Sequence, residues 1–205
     1  MSEWTVKQDG ESFAQYRSRY FRTLEASAKI VGREEFDYLY APVVRAYGIR
    51  SPAFVNTIAH EIVICDEVPD TDFIGFMLVH EMWEDYVVNK SGFNLRLYEY
   101  FDRSLPADKM IRTAHRLATL KELSLAQSRG KLEQYCEWWT DFYAKDAQLV
   151  RSMPDDVAAR IGRNYRSSTV EETKARILGF IDSNAQLRRK IGEKVRLSSS
   201  KRLLS

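Results

Sequence analysis

His80, Glu81 and Glu84 lie close together in Phe73-Ile74-Gly75-Phe76-Met77-Leu78-Val79-His80-Glu81-Met82-Trp83-Glu84-Asp85-Tyr86-Val87-Val88, a stretch otherwise dominated by apolar side chains. Burying an ionisable group costs several kcal/mol unless it is paired or binds a metal, so these residues need a partner. On a helix, positions 80 and 84 share a face one turn apart, the geometry by which helical His/Glu motifs clamp a metal ion. Glu81 is rotated by about 100 degrees from His80, where a carboxylate can act as a general base toward a metal-activated water.

Two ligands do not make a metal site, and the chain has three histidines in all. His115 stands in Thr113-Ala114-His115-Arg116-Leu117-Ala118-Thr119-Leu120-Lys121-Glu122, with Glu122 seven positions on and on the same helical face. His80, Glu84 and His115 would form a His₂Glu set for one zinc ion with an open position for water, as in catalytic rather than structural sites. His60 is the competing third ligand. It adjoins Glu61 in a segment that reads as strand, where alternation sends His60 and Ile62 to one face and Glu61 and Val63 to the other. Glu122 is an alternative ligand or a partner for one. Two readings without metal compete: a helix whose His-Glu-x-x-Glu-Asp face is simply wet, and a buried hydrogen-bonded pair.

The segments Cys65-Asp66-Glu67-Val68-Pro69, His80-Glu81-Met82-Trp83-Glu84 and Ala114-His115-Arg116-Leu117-Ala118 with Glu122 follow one another in this order. Together they resemble zincin-like metallohydrolases of phages and bacteria in which HExxE replaces HExxH. In that family an extended segment ending in an acidic residue and a proline precedes the motif helix, and a helix carrying AHxxA and a later Glu follows it. The resemblance covers about residues 62–122 and implies peptidase-like hydrolysis, with a peptide or protein as substrate.

The surrounding elements must hold these residues in place. Ser12 to Gln15 reads as a capping box opening a helix that carries Phe13, Tyr16, Tyr20, Leu24 and Ala28 as far as Gly32. A second helix over 34–47 is expected to be kinked or short at Pro42. Residues 52–69 are rich in β-branched side chains and flanked by prolines, which fits one or two short strands. Asp70-Thr71-Asp72 offers N-caps for the motif helix, closed by Lys90-Ser91-Gly92. Further helices are expected from about Pro106, over 132–150, over 154–162, and from Ser168 or Thr169 onward. In the 132–150 helix, Trp138, Trp139, Phe142 and Tyr143 could stack bases or sugars, but at helical spacing they read first as core or interface.

This pattern predicts a mainly α protein, α+β with a small β element. Residues 1–187 form one mostly helical domain with its motif core at about 52–125, followed by a basic tail over 188–205. With 205 residues, 44% hydrophobic and 29% charged, the chain can bury a sizeable core without staples. Cys65 and Cys136 read as buried thiols in a reducing compartment. Neither an export signal nor a membrane span is evident, so the expected location is cytoplasmic, or a phage particle or infected host cytoplasm. The net charge of +2 divides into +6 for the tail and −4 for the body. Such a tail can contact a polyanion or an acidic protein surface. P-loop, GxGxxG, GxSxG and CxxC patterns are absent, leaving nucleotide-binding, serine-hydrolase and zinc-finger readings without support. The rival to a zinc hydrolase is a non-enzymatic helical structural or interaction protein of virion or adaptor type, contacting partners through its aromatic helix and basic tail.

Overall fold

The computed structural model describes residues 5–47, 51–91, 108–152 and 179. The expected helices over 154–162 and from Ser168 onward, the basic tail at 188–205 and the aromatic segment Phe93–Phe101 lie outside the described residues. Within them the chain is mainly α with a small sheet: α1 (Phe13–Ala26), β1 (Lys29–Val31), α2 (Arg33–Tyr47), β2 (Ala53–Asn56), β3 (Glu61–Cys65), α3 (Thr71–Lys90), α4 (Asp108–Ser128) and α5 (Leu132–Ser152). No helix among them is long and apolar enough to cross a membrane.

The capping box at Ser12 and Gln15 is present in full, with each side chain bonded to the other's backbone N–H. Helix α1 nevertheless stops at Ala26, short of the expected Gly32, because Lys29-Ile30-Val31 leaves the helix to pair in parallel with Val63-Ile64-Cys65. A strand partner distant in sequence outweighs local helical spacing here. Helix α2 spans the expected stretch and is not cut short at Pro42, which lies inside it. The carbonyl that loses its N–H partner to Pro42 belongs to Tyr38, a residue 81% exposed, so water can satisfy it.

Strand β3 is central, flanked by parallel β1 and antiparallel β2. Alternation divides its side chains between two cores. Ile62 and Ile64 join Tyr16, Tyr20, Leu24, Phe76 and Met77 from α1 and α3, while Val63 and Cys65 join Phe36, Tyr40 and Val43 from α2. The sheet therefore lies between α2 on one side and α1 with α3 on the other. Cys65 and Cys136 are both free and buried.

Helix α3 runs 20 residues, about 30 Å, through the larger core. Asp70 caps it by accepting from Asp72 N–H at 2.7 Å, and Ser91 closes it. The α4–α5 turn, with Gly130 at φ +68°, is pinned to this N-terminus: Lys131 Nζ lies 2.8 Å from Asp70 and 2.6 Å from Asp72, and Arg129 also bonds Asp72. On the side of α3 facing α1, the buried Asp85 carboxylate accepts from the Tyr20 hydroxyl and, at 3.0 Å, from Asn89. Burial and the Asp85 charge push the Tyr20 phenol far above its ordinary pKa, so it is a permanent donor.

Two expected outcomes follow from these contacts. Tyr20→Phe, which leaves a buried carboxylate short of a donor, should cost about 1–3 kcal/mol in urea unfolding. Lys131 holds the Asp70 and Asp72 carboxyls below their ordinary 3.8, with the Asp72 backbone N–H helping Asp70 and Arg129 helping Asp72. Carboxyls depressed in the folded state stabilise it above pH 3.8, an effect lost as pH falls through their lowered values. Lys131→Met should therefore weaken the acid dependence of the melting temperature below about pH 4.

Candidate metal centre

Among the described residues, helix α4 packs along α3 more extensively than any other pair of elements. Ala114, Ala118 and Ala126, all fully buried, repeat at spacings of four and eight, and Glu122 occupies the position between the last two. Small side chains let the helices approach closely, so the stripe delivers Glu122 and the neighbouring His115 onto the His80 face of α3. The Ala-His-x-x-Ala spacing thus sets fully buried small residues beside a histidine that reaches His80 and Glu84 on α3.

Three ligand-type atoms converge there. His80 Nε2 lies 3.0 Å from Glu84 Oε2 and 3.2 Å from His115 Nδ1, and His115 Nδ1 lies 2.9 Å from Glu84 Oε2. On the other side of the ring, His80 Nδ1 donates to Glu122 Oε2 at 2.6 Å, and the Tyr135 hydroxyl donates to Glu122 Oε1. Exposure rises across the group: the side chain is 4% exposed in Glu122, 12% in His80, 24% in Glu84 and 54% in His115. The cluster is thus anchored in the core and open at the His115 end.

Its electrostatics are dominated by carboxylates. Among the described residues Glu84 and Glu122 form ion pairs only with histidines, and Glu81 forms none. Burial opposes a charge on His80, but Glu122 and Glu84 outweigh it and hold the imidazole well above its ordinary pKa. Burial likewise opposes ionisation of Glu84, yet His115 and His80 bring its carboxyl down to about 2. Glu81 has no hydrogen-bonding partner among the described residues. Burial pushes its carboxyl up to about 8, against the pull of His80 and with the Glu84, Glu122 and Asp85 carboxylates adding to the rise.

The donor set fits zinc in type and nearly in size. Two imidazole nitrogens and one carboxylate oxygen are ordinary zinc ligands, and tetrahedral bonds of about 2.0–2.1 Å require ligand atoms about 3.3–3.4 Å apart. The observed edges of 2.9–3.2 Å reach this with an opening of a few tenths of an ångström. Glu122, with its oxygens already engaged by His80 and Tyr135, stands behind the cluster rather than among its facing atoms.

His60 lies apart from the cluster. It is not in a strand, as alternation implied, but ends the β2–β3 turn at φ +59°, and its Nε2 is 3.6 Å from Asp85 Oδ2. The turn is organised by Asn56, whose side chain accepts from Ile58 N–H at 3.1 Å and Ala59 N–H at 3.3 Å. Trp138 and Trp139 pack against the core, Trp138 stacked on Tyr135 at 5.9 Å, which is the core reading of the aromatic helix. Sequence reasoning did not single out Tyr135. Its spacing with Leu132, Cys136 and Trp139 points it inward, but nothing in a sequence names the acceptor of a buried hydroxyl. No protein-family model, curated protein or solved structure matches the chain.

Replacing the converging residues should separate them from His60. His80→Ala, Glu84→Ala and His115→Ala should each weaken zinc binding by at least tenfold in chelator competition, starting from about one zinc per chain. His60→Ala should leave the affinity within about twofold, since its contact is with Asp85. Stoichiometric zinc persisting in His80→Ala would remove the assignment.

Proposed function

We propose that this protein is a zinc-dependent hydrolase of zincin type acting on a peptide or other amide bond. The observation that supports this reading best is the convergence of His80 Nε2, Glu84 Oε2 and His115 Nδ1 within 4.8 Å, beside carboxylates that have no lysine or arginine partner among the described residues. Bound zinc would add positive charge among these carboxylates, acidifying a water and stabilising a developing oxyanion.

The chain's residues carry the remaining work. His80, Glu84 and His115 hold the ion, and Glu122 fixes the His80 ring. Glu81, next to His80 in sequence and rotated away from the ligand face, takes the proton of the attacking water and returns it to the leaving amine. Burial raises this carboxyl to about 8 in the metal-free protein, and a bound cation would draw it down toward the operating pH, where a base works best. The exposure of His115 leaves the cluster accessible to a chain lying across α4, in keeping with a peptide or protein substrate. Residues 80–85 divide accordingly: positions 80 and 84 face α4, Asp85 faces Tyr20 and Asn89, and Glu81, about 100 degrees on from His80, stands between the two sides.

Glu81→Gln should retain zinc and lower the cleavage of a mixed peptide pool by about 10²–10⁴-fold, the usual contribution of general base catalysis. Loss of zinc together with activity would make Glu81 a ligand instead. If the wild-type chain, purified without chelator, carries no zinc and acquires none, the helical structural or interaction protein becomes the better reading.

A further inference from the structure

Tyr135 stands at the start of α5, a helix that contributes none of the three converging atoms, and its side chain is fully buried. Its ring is held on several sides, with centroids 5.0 Å from Phe73, 5.0 Å from Phe76 and 5.9 Å from Trp138. The hydroxyl donates to Glu122 Oε1, while Oε2 of the same carboxylate lies 2.6 Å from His80 Nδ1. Among the described residues Glu122 has no other hydrogen-bond donor.

Oε2 of Glu122 sits against Nδ1 of the ring, which takes the donor's part there and leaves the ring's other nitrogen facing away from Glu122. Nε2 is then the atom turned toward Glu84 at 3.0 Å and His115 at 3.2 Å. The chain of dependence runs across three helices. A hydroxyl on α5 fixes the plane of a carboxylate on α4, and that carboxylate fixes the ring on α3. Burial gives the contact its leverage, because Glu122 is only 3% exposed and water cannot readily replace the hydroxyl.

We propose that Tyr135 is a positioning residue of the metal site, acting through Glu122 to hold His80 with Nε2 facing the ion. The inference deepens the metal reading and rests on it for what the ring is turned toward. The hydrogen-bonded relay itself is a property of the metal-free protein.

The test uses the full chain as wild type, Tyr135→Phe and Phe76→Leu, the last loosening the same aromatic packing while keeping the hydroxyl. Zinc affinity is measured by chelator competition, and the His80 Nδ1–H resonance by NMR of metal-free protein, where three histidines keep the spectrum sparse. Tyr135→Phe should weaken zinc by about 10–100-fold, as outer hydrogen-bond partners of metal ligands usually do, and shift the Nδ1–H signal upfield with faster exchange. Phe76→Leu should change neither by more than about twofold. The proposal is overturned if Tyr135→Phe leaves the Nδ1–H signal unchanged, if its zinc affinity stays within twofold of wild type, or if Phe76→Leu reproduces both effects. A wild-type chain that binds no zinc sinks the metal reading alone. The Nδ1–H comparison then still decides whether Tyr135 sets the ring: a changed signal in Tyr135→Phe supports it, and an unchanged one overturns it.

Discussion

The 2.6 Å contact between His80 Nδ1 and Glu122 Oε2 joins two helices at a point where both carry charge into the core. Neither residue is tolerable there alone, since an unpaired buried ion costs several kcal/mol, so the pair forms only where α3 and α4 lie side by side. The buried alanines at 114, 118 and 126 keep that stripe of α4 free of bulky side chains, and the bonds of Arg129 and Lys131 to Asp70 and Asp72 fix how far along α3 the α4–α5 turn sits. His115 reaches Glu84 as a consequence of this alignment. A register shift of one turn would carry it about 5.4 Å from the cluster.

Helix α3 is consequently charged on two sides while apolar along most of its length. One side presents His80 and Glu84 to α4. The other presents Asp85 to Tyr20, Asn89 and His60, and Glu81 stands between the two sides without a hydrogen-bonding partner among the described residues. Buried polar networks stabilise only when fully satisfied, and a group left unsatisfied inside one is a site of stored reactivity. Glu81 fits that description: burial raises its pKa, three carboxylates add to the rise, and only the His80 charge opposes them.

Much of this arrangement was legible because it is local. The capping box at Ser12, the Asp70 cap, the span of the motif helix and the pairing of positions 80 and 84 on one face all follow from spacing within a few residues. Where local spacing misled, a distant partner had intervened. Lys29-Ile30-Val31 reads as helix until β3 is available to pair with it, and His60 reads as strand until Asn56 turns the chain beneath it. Pro42 reads as a place where α2 could end early, but the helix runs through it, and Tyr38, whose carbonyl loses its partner, is exposed to water.

The sequence by itself determined the inventory: a buried helix with His80, Glu81 and Glu84 inside an apolar wall, a second helix pairing His115 with Glu122, and a mainly α chain with a small β element. These are matters of residue type and period, which a helix or strand expresses without reference to the rest of the chain. Only the tertiary structure decided between His115 and His60 as the neighbour of Glu84, turned Glu122 to the back of His80 rather than the front, and supplied Tyr135 as its donor. Each of those depends on the distance between helices and the direction of a ring or carboxylate. Such quantities are set by packing among residues tens of positions apart, and spacing along the chain carries no information about them.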